Sequence, residues 1–369
     1  MSQELLLDGS KLAWHQERLE AWRRGERIAP ITIDMALTDK CNYACRYCYA
    51  ELQGNKGFRI TKDHMKDFLD DCKEIGVKAV SLVSDGESSI SPAYAYSIQY
   101  GHSIGLDMAS GSNGYIHNEK LFREILPCLT YFRVNITAGE PERYKEIMGV
   151  RDGWFERVCE NIRTAVRIKQ ELNLGVTIGM QAVLMPEFRD QIIPLAALGK
   201  ALRPDYLVLK HCSDDEQGSL GMDYSGYDGE FIRLLEQAET YSDETYKVVP
   251  KWNKIKEGNR RQYQRCYGTP FHLQISGSGL VAPCGMLFGE KYKQYHIANI
   301  TKERFRDTVK SDRYWEVINF LASEKFNAQK MCGSLCLQHH HNTLLDKERK
   351  GELRLALPSG KTPTHINFI

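Results

Sequence analysis

Three cysteines near the start of the chain have the spacing of ligands to one metal centre. Cys41, Cys45 and Cys48 form the pattern C-x3-C-x2-C directly after an apolar run of strand type. Thiolates this close on one loop can converge on one face of a four-iron cluster, which takes four ligands. The fourth iron then stays open to a bidentate ligand with an amine and a carboxylate. A structural zinc site is the alternative, but it needs a fourth ligand, and no further Cys or His lies nearby in sequence.

A second set of four cysteines lies in the C-terminal part of the chain. Cys266 and Cys284 bracket a segment with the pattern of a β-hairpin, and Cys332 and Cys336 follow within MCGSLC. Four thiolates would fill every iron site of one four-iron cluster. Four cysteines also make a tetrahedral zinc site, although the gap of 17 residues between the first two is long for zinc.

The elements that must position the first cysteine loop alternate between strands and helices. Helical patterns separate six strand-like runs, at 31–37, 77–83, 106–110, 131–137, 176–185 and 205–211. This alternation indicates βαβ units and a parallel sheet, which can curve into a full or partial barrel. In such barrels the functional loops lie at the carboxyl ends of the strands, where the first cysteine loop falls.

Composition and charge exclude several classes of partner. The chain has 369 residues, of which 42% are hydrophobic and 26% charged, and its formal net charge is +1. The length predicts about two domains, and the charge gives no general reason to expect nucleic acid as a partner. No apolar run approaches the ~20 residues that span a bilayer, and the N-terminus lacks the apolar core of a signal peptide. We therefore expect a cytoplasmic protein without a membrane partner, whose cysteines stay reduced.

The segment LTDKCNYACRYCYA resembles the signature of the radical S-adenosylmethionine (SAM) superfamily. Tyr47 matches the aromatic residue that lies near the adenine in that family. The resemblance covers residues 30–212 or so and implies a partial barrel with a [4Fe–4S] cluster on the three cysteines. It also implies that a donor such as flavodoxin or ferredoxin reduces the cluster. SAM cleavage would then give a 5′-deoxyadenosyl radical, which abstracts hydrogen from a substrate.

The segment Asp85-Gly86-Glu87 ends the second predicted strand, where the family has a Gly-Gly-Glu type segment that receives the SAM amino group. The first glycine is replaced here by Asp85. Gly86 permits close backbone approach, and Glu87 can accept from an ammonium group. An ordinary strand-to-helix turn, capped by Ser88 or Ser89, is the alternative.

Three further polar residues match positions that surround SAM in the family. Ser112 follows the third strand, Asn135 ends the fourth and Gln181 lies within the fifth. The resemblance implies contacts to the SAM ribose and carboxylate. Alternatively, polar side chains inside a barrel satisfy one another.

The second cysteine set is similar to the family's SPASM and twitch domains. Its opening reads Cys266-x12-Gly279-x4-Cys284, and the late pair is Cys332 and Cys336. A full SPASM domain has seven cysteines and two auxiliary clusters. The four cysteines of this chain therefore imply the shorter twitch form with a single auxiliary [4Fe–4S] cluster.

These observations predict an α/β fold: a partial (β/α)6 barrel of radical SAM type with a small twitch-like α+β domain. The predicted divisions are a lead-in helix within 1–30, the barrel at 31–212, a connecting segment at 213–265, the auxiliary-cluster domain at 266–342 and a tail at 343–369.

Cys212 is the candidate catalytic residue. It ends the sixth predicted strand, and strand alternation places it on the same face as Lys210. In a parallel barrel that end faces the active site, where a thiol could return a hydrogen atom to a substrate radical, as in some radical SAM epimerases. A buried core cysteine is an equally good interpretation.

The resemblance of the C-terminal unit extends to radical SAM proteins of sugar and surface-polysaccharide biosynthesis. It predicts a polar small-molecule substrate: a sugar, a nucleotide-sugar or an aminocyclitol, changed by an epimerase or a dehydrogenase. The alternative is a peptide maturase. Such enzymes commonly carry a recognition domain before the barrel, whereas about 30 residues precede the first strand here.

Two basic segments are predicted to lie in solvent. His339, His340 and His341 point in different directions and indicate a solvated helix end rather than a metal site. The stretch 247–265 holds seven basic residues and one acidic residue. It favours a solvated face over recognition of a substrate phosphate.

Overall fold

The computed structural model describes residues 5–7, 9–53, 59–257, 261–333 and 336–369. The strands are β1 (Thr32–Met35), β2 (Ala79–Leu82), β3 (Asp107–Ser112), β4 (Tyr131–Asn135), β5 (Thr177–Leu184), β6 (Tyr206–His211), β7 (Lys247–Pro250), β8 (His272–Ile275), β9 (Leu280–Ala282) and β10 (Ala298–Asn299). They form one sheet in the order β10-β9-β8-β1-β2-β3-β4-β5-β6-β7. All six predicted strands are confirmed, as β1 to β6.

The described α-helices are α1 (Gln16–Arg23), α2 (Lys62–Ile75), α3 (Tyr94–Ser103), α4 (Glu119–Ile125), α5 (Pro141–Met148), α6 (Trp154–Glu171), α7 (Ile192–Leu202), α8 (Gly229–Glu239), α9 (Trp252–Glu257), α10 (Phe305–Lys310), α11 (Asp312–Ala322) and α12 (His339–Arg349). Strands β1 to β7 are parallel, and at least one helix joins each to the next. The predicted α/β fold with βαβ units is therefore confirmed.

Local sequence signals explain where the first crossover helix begins and ends. Thr61 precedes α2 and accepts a hydrogen bond from the His64 backbone amide, while the His64 ring faces the Thr61 amide in a capping box. Gly76 ends the helix with a φ of 86°, a backbone conformation that glycine adopts without a steric cost.

The sheet curves into a partial barrel. Asp34 of β1, Arg133 of β4 and Tyr206 of β6 line one common cavity. In a flat sheet, the five steps from β1 to β6 would separate these strands by roughly 24 Å. A shared cavity requires curvature, so these side chains point into the lumen.

The C-terminal unit extends the same sheet. Strand β8 pairs with β1 in parallel, with Thr32 opposite His272, and β9 folds back on β8 as the predicted hairpin. Gly279 turns the hairpin with a φ of 82°. The last described residues close the amino end of the barrel, because Thr32 Oγ1 donates to the Asn367 carbonyl oxygen at 2.6 Å.

Two stretches differ from the sequence-based expectation. Strand β7 and helix α9 lie inside 213–265, which was predicted as a connecting segment. The strand was missed because its run, KVVP, is four residues long and stands in a polar context. Helix α12 also continues through the boundary predicted between 342 and 343. No helix within the described ranges has the length and apolar character needed to cross a bilayer.

Candidate active site

The first cysteine loop leaves the carboxyl end of β1. Cys41 is exposed, and Cys45 and Cys48 are half-buried. The loop is held locally, because the Cys48 amide donates to the Cys45 carbonyl oxygen at 3.0 Å. Burial raises the pKa of the Cys45 thiol, and the nearby Cys48 and Cys41 thiols raise it further. Three thiols close enough to influence one another fit the three-thiolate face of an iron–sulfur cluster.

Within the described ranges, no three His, Cys, Asp or Glu side chains lie close enough to share one metal ion. A cluster differs from a single ion, because each of its thiolates binds a separate iron. The three thiols of this loop therefore fit a cluster, in which each binds its own iron, better than a single zinc ion.

Two glycines let neighbouring loops pack against the backbone just before Cys41. Gly86 has a φ of 69°, and a Cβ there would overlap the Thr38 carbonyl oxygen. A Cβ at Gly277 would meet the Thr38–Asp39 peptide from the hairpin turn. The Glu87 amide also donates to the Lys40 carbonyl oxygen at 2.9 Å. The cysteine loop therefore begins between the turn after β2 and the turn after β8.

The Glu87 carboxylate is the centre of a buried hydrogen-bond network and is 4% exposed. Its Oε1 accepts from the Ser89 amide at 3.0 Å, the Ser89 hydroxyl at 2.6 Å and the Ser112 hydroxyl at 2.9 Å. Its Oε2 accepts from the Asn113 amide at 2.7 Å. Since a carboxylate oxygen has two lone pairs, Oε2 retains room for one further donor, such as an ammonium group.

Asp85, predicted to contact the cofactor, has a second attachment. Its Oδ1 accepts from the Gly277 amide at 2.8 Å, so the residue that replaces the family's glycine ties β2 to the hairpin of the C-terminal unit. The bond joins residues 192 positions apart and was not foreseeable from the local sequence.

The other predicted cofactor residues fall into two groups. Ser112 joins the Glu87 network. Asn135 and Gln181 face each other on β4 and β5, and the Gln181 amide donates to Asn135 Oδ1 at 2.7 Å. The Tyr47 hydroxyl lies 3.2 Å from Met148 Sδ.

The sequence reading did not select Asn42 and Asn113. The Asn113 side-chain amide donates to Asn42 Oδ1 at 2.8 Å and thereby links the β3 turn to the cysteine loop. Asn113 stands between Ser112 and Gly114, and small residues beside an asparagine are a sequence signal for a tight turn.

Cys212 lies beneath the cysteine loop and is 1% exposed. Its thiol lies 3.4 Å from the Ser213 carbonyl oxygen and 3.7 Å from that of Tyr47. Burial raises the pKa of Cys212 to about 12, and Asp214 adds to this, so the sulfur keeps its hydrogen at neutral pH. Its role as a hydrogen donor stays a prediction.

The second cysteine set surrounds a single small cavity in the C-terminal unit. Cys266, Cys284, Cys332 and Cys336 all line it, together with apolar side chains. The Asn342 amide nitrogen lies 3.5 Å from both Cys266 Sγ and Cys336 Sγ. Four thiols around one enclosed space are a donor set that fits one auxiliary cluster.

A larger cavity of about 480 Å³ lies in the barrel lumen. Strands, α9, α12 and the C-terminal residues all contribute to its wall, including Asp34, Arg133, Tyr206, Lys254, His272 and His341. Such a volume is in the range of pockets for small ligands, roughly 300–1,000 Å³.

The histidine run corrects one sequence-based expectation. His339 and His341 are buried at the start of α12 and line the luminal cavity, whereas a solvated helix end was predicted. Three consecutive histidines carry no helical periodicity, so their inward face could not be deduced from the pattern. Of the basic stretch 247–265, residues 258–260 lie outside the described residues, and Lys254 reaches the cavity wall.

Comparisons with known proteins agree with this arrangement. Residues 35–194 match the model of the radical SAM superfamily. A probable GTP 3′,8-cyclase of Saccharolobus islandicus is 24% identical over 36% of this chain and 43% of its own length. An S-adenosylmethionine-dependent nucleotide dehydratase of Selenomonas ruminantium is 27% identical over 22% of this chain and 29% of its own length. The chain thus spans less than half the length of these curated relatives.

A solved structure of Streptococcus suis SuiB bound to S-adenosylmethionine has a similar fold. The TM-score is 0.63 at 16% identity, over 83% of this chain and 72% of SuiB. SuiB is also known in complex with its precursor peptide SuiA. The match over residues 35–194 and the fold shared with SuiB make this part of the chain similar to radical SAM proteins.

Proposed function

We propose that this enzyme abstracts a hydrogen atom from a polar small molecule that carries a sugar or aminocyclitol ring, with a nucleotide-sugar as the favoured substrate. The observation that carries the proposal is the luminal cavity of about 480 Å³, whose wall is rich in charged and polar side chains. A cavity of this size suits one small ligand, with polar groups that fix its orientation.

The assignment of cofactor residues belongs to the same proposal. Cys41, Cys45 and Cys48 would hold the SAM-binding cluster, and Glu87 Oε2 would accept from the SAM amino group. When bound, the cluster and SAM supply the 5′-deoxyadenosyl radical. The network around Glu87 supports this role, because serine and backbone donors fix the carboxylate with one acceptor position left.

Two outcomes compete once the substrate has lost a hydrogen atom. In dehydrogenation, the substrate radical would lose a proton and one electron, and an auxiliary cluster on Cys266, Cys284, Cys332 and Cys336 would supply the electron acceptor. In epimerisation, the Cys212 S–H bond returns a hydrogen atom to the opposite face. The Cys212 thiol would be restored by one proton from solvent and one electron, which comes ultimately from the external donor such as flavodoxin or ferredoxin.

Peptide maturation is the second candidate function. The similarity in fold to SuiB, which binds a precursor peptide, favours it. The names of the sequence relatives, a cyclase of GTP and a nucleotide dehydratase, favour a nucleotide-type substrate instead. Tail residues at the amino end of the lumen also favour a compact ligand over an extended chain.

Deuterium transfer separates the two candidates. We expect a nucleotide-sugar with a perdeuterated sugar ring to give 5′-deoxyadenosine one mass unit heavier, because the abstracted atom comes from a ring carbon. Mass spectrometry of anaerobic reactions measures the label. An unlabelled nucleotide-sugar is the control. Transfer from deuterated peptides alone would reject the proposal in favour of maturation.

The Cys212→Ala variant tests the choice between epimerase and dehydrogenase. If Cys212 returns the hydrogen, the variant still forms 5′-deoxyadenosine but yields no epimer, because no S–H bond remains at the substrate radical. The epimer from the unaltered enzyme should carry one deuterium when the reaction runs in heavy water.

Cys128→Ala is the matched control for that variant, since Cys128 is a half-buried thiol in the turn after α4, remote in the fold from the cysteine loop. Unchanged epimer yield in Cys212→Ala, or an epimer without solvent deuterium, would exclude the role of Cys212.

A further inference from the structure

The wall of the luminal cavity carries more positive than negative charge. Among the described side chains of the wall, Lys11, Arg133, Lys251 and Lys254 carry positive charge and Asp34 carries negative charge. Asp34 already has a partner, because the Gln274 side-chain amide donates to its Oδ2 at 3.3 Å. A cavity with this surplus of cations attracts an anionic ligand.

Arg133 lies in the wall of the lumen beside Tyr206, with its guanidinium carbon 5.6 Å from the centroid of the Tyr131 ring. It projects from the middle of β4, and its Nε atom is buried without a hydrogen-bond partner. No ion pair joins Arg133 to a carboxylate in the described part of the chain. A buried guanidinium nitrogen without an acceptor is costly, and a bound anion would supply that acceptor.

His341 adds an unsatisfied group from the opposite wall. It is 4% exposed and lines the cavity, and neither of its ring nitrogens has a hydrogen-bond partner among the described residues. Burial, with His272, His340 and nearby lysines, lowers the pKa of His341 well below its usual value. A neutral imidazole has one N–H to donate, and buried polar groups are nearly always paired in native proteins.

Arg133 and Lys254 of the cavity wall also lie near a further cation, Lys210 of β6. Burial lowers the pKa of Lys210 to about 7, and the charges of Arg133 and Lys254 lower it further. Lys254 extends from α9 to the cavity wall, and its Nζ donates to the Leu337 carbonyl oxygen at 3.2 Å. Like charges disfavour one another, so a bound anion would offset the repulsion among these cations.

We propose that this cavity is a phosphoryl subsite, in which Arg133, Lys254 and His341 bind the phosphate or diphosphate of the substrate. The proposal rests on the function proposed above and names the part of the substrate that the lumen recognises. A phosphoryl group offers several acceptor oxygens and up to two negative charges, which match a guanidinium, an ammonium and an imidazole better than one carboxylate would.

The position of Arg133 also orients the substrate. Arg133 and Asn135 lie on the same face of β4, two residues apart, which is about 7 Å along a strand. A phosphoryl group on Arg133 would therefore lie deeper than the Asn135–Gln181 pair. The rest of the substrate would then extend toward the carboxyl end of the barrel, where the cysteine loop lies.

Binding of inorganic diphosphate tests the subsite without turnover. We expect calorimetry on the anaerobically reconstituted holoenzyme to detect binding that weakens as salt rises. Arg133→Gln should weaken it by about tenfold or more, because a charge-assisted hydrogen bond is lost. His341→Asn gives a second variant without a change of charge, and its expected loss is roughly threefold to tenfold.

Lys256→Gln is the matched control. It removes an exposed cation from α9, two residues after Lys254 and outside the cavity lining. Diphosphate affinity should stay unchanged in this variant. Thermal melts of each variant separate loss of binding from loss of folding, and His341→Asn carries the test if Arg133→Gln does not fold.

Absence of diphosphate binding to the holoenzyme, or equal affinity in folded variants and control, would overturn the subsite. The deuterium experiment on the nucleotide-sugar is independent of this result. Diphosphate binding without deuterium transfer would leave the subsite in place and reject the proposed substrate. Deuterium transfer from the nucleotide-sugar that is unchanged in the Arg133→Gln and His341→Asn variants would support the proposed substrate and reject the subsite.

Discussion

Replacing Cys41, Cys45 and Cys48 together with alanine should abolish 5′-deoxyadenosine formation and remove about half of the bound iron. The proposed enzyme holds about eight irons after anaerobic reconstitution, as two four-iron clusters. Alanine has no thiolate, so the cluster that reduces SAM has no protein ligands left in the triple variant. The auxiliary set stays intact, and iron analysis with chromatography of the reaction products measures both effects.

The reciprocal variant gives this experiment its control. Alanine at Cys266, Cys284, Cys332 and Cys336 should remove the other half of the iron and leave the cysteine loop after β1 loaded. Persistent SAM cleavage in the triple variant of the first set would contradict the central assignment. Full loss of iron in either variant, with the fold retained, would contradict two independent clusters.

Glu87→Gln should weaken SAM binding by about tenfold or more and lower the free energy of unfolding by about 1–3 kcal/mol. The wild-type carboxylate accepts on both oxygens, from Ser89 and Ser112 on one and from Asn113 on the other. A glutamine has one acceptor oxygen, so its NH2 group must face a donor in this buried network. It also removes the acceptor position proposed for the SAM ammonium.

Equilibrium binding of SAM to the reconstituted protein and a denaturant titration measure these two effects. Glu124→Gln, at an exposed position near the end of α4, is the control and should change neither quantity. A folded Glu87→Gln protein with unaltered SAM affinity would remove Glu87 from the proposed cofactor site, and its buried network would then be structural.

Strand periodicity predicted most of the barrel because parallel strands buried on both faces are apolar and regularly spaced by helices. The runs that became β5 and β6 are of this kind. Glu87 and Ser112, each predicted as a SAM contact, lie near the carboxyl ends of adjacent strands, and their side chains hydrogen-bond at 2.9 Å. Motifs at the carboxyl ends of strands can be predicted to lie together, because a parallel barrel brings those ends to one edge.

The luminal cavity could not be predicted from the sequence. It unites Asp34, Arg133, Lys254 and His341, which lie far apart in sequence and on four different elements. These residues come together because the sheet curves and because α9 and α12 pack against it. Neither feature is encoded in a local sequence pattern. The Asp85–Gly277 hydrogen bond was unreadable for the same reason.

The position of the hairpin turn bears on how such proteins can be recombined. Gly277 packs directly on the Thr38–Asp39 peptide, and its amide donates to Asp85. The C-terminal unit is therefore not an exchangeable module. A chimera that takes this unit from a protein with glycine at the position of Asp85 would place a foreign turn against the Asp85 carboxylate, which needs a donor in the place of the Gly277 amide. A working chimera would have to keep the contacting residues from one parent. These are residues 38–39 and 85 of the barrel and Gly277 of the hairpin.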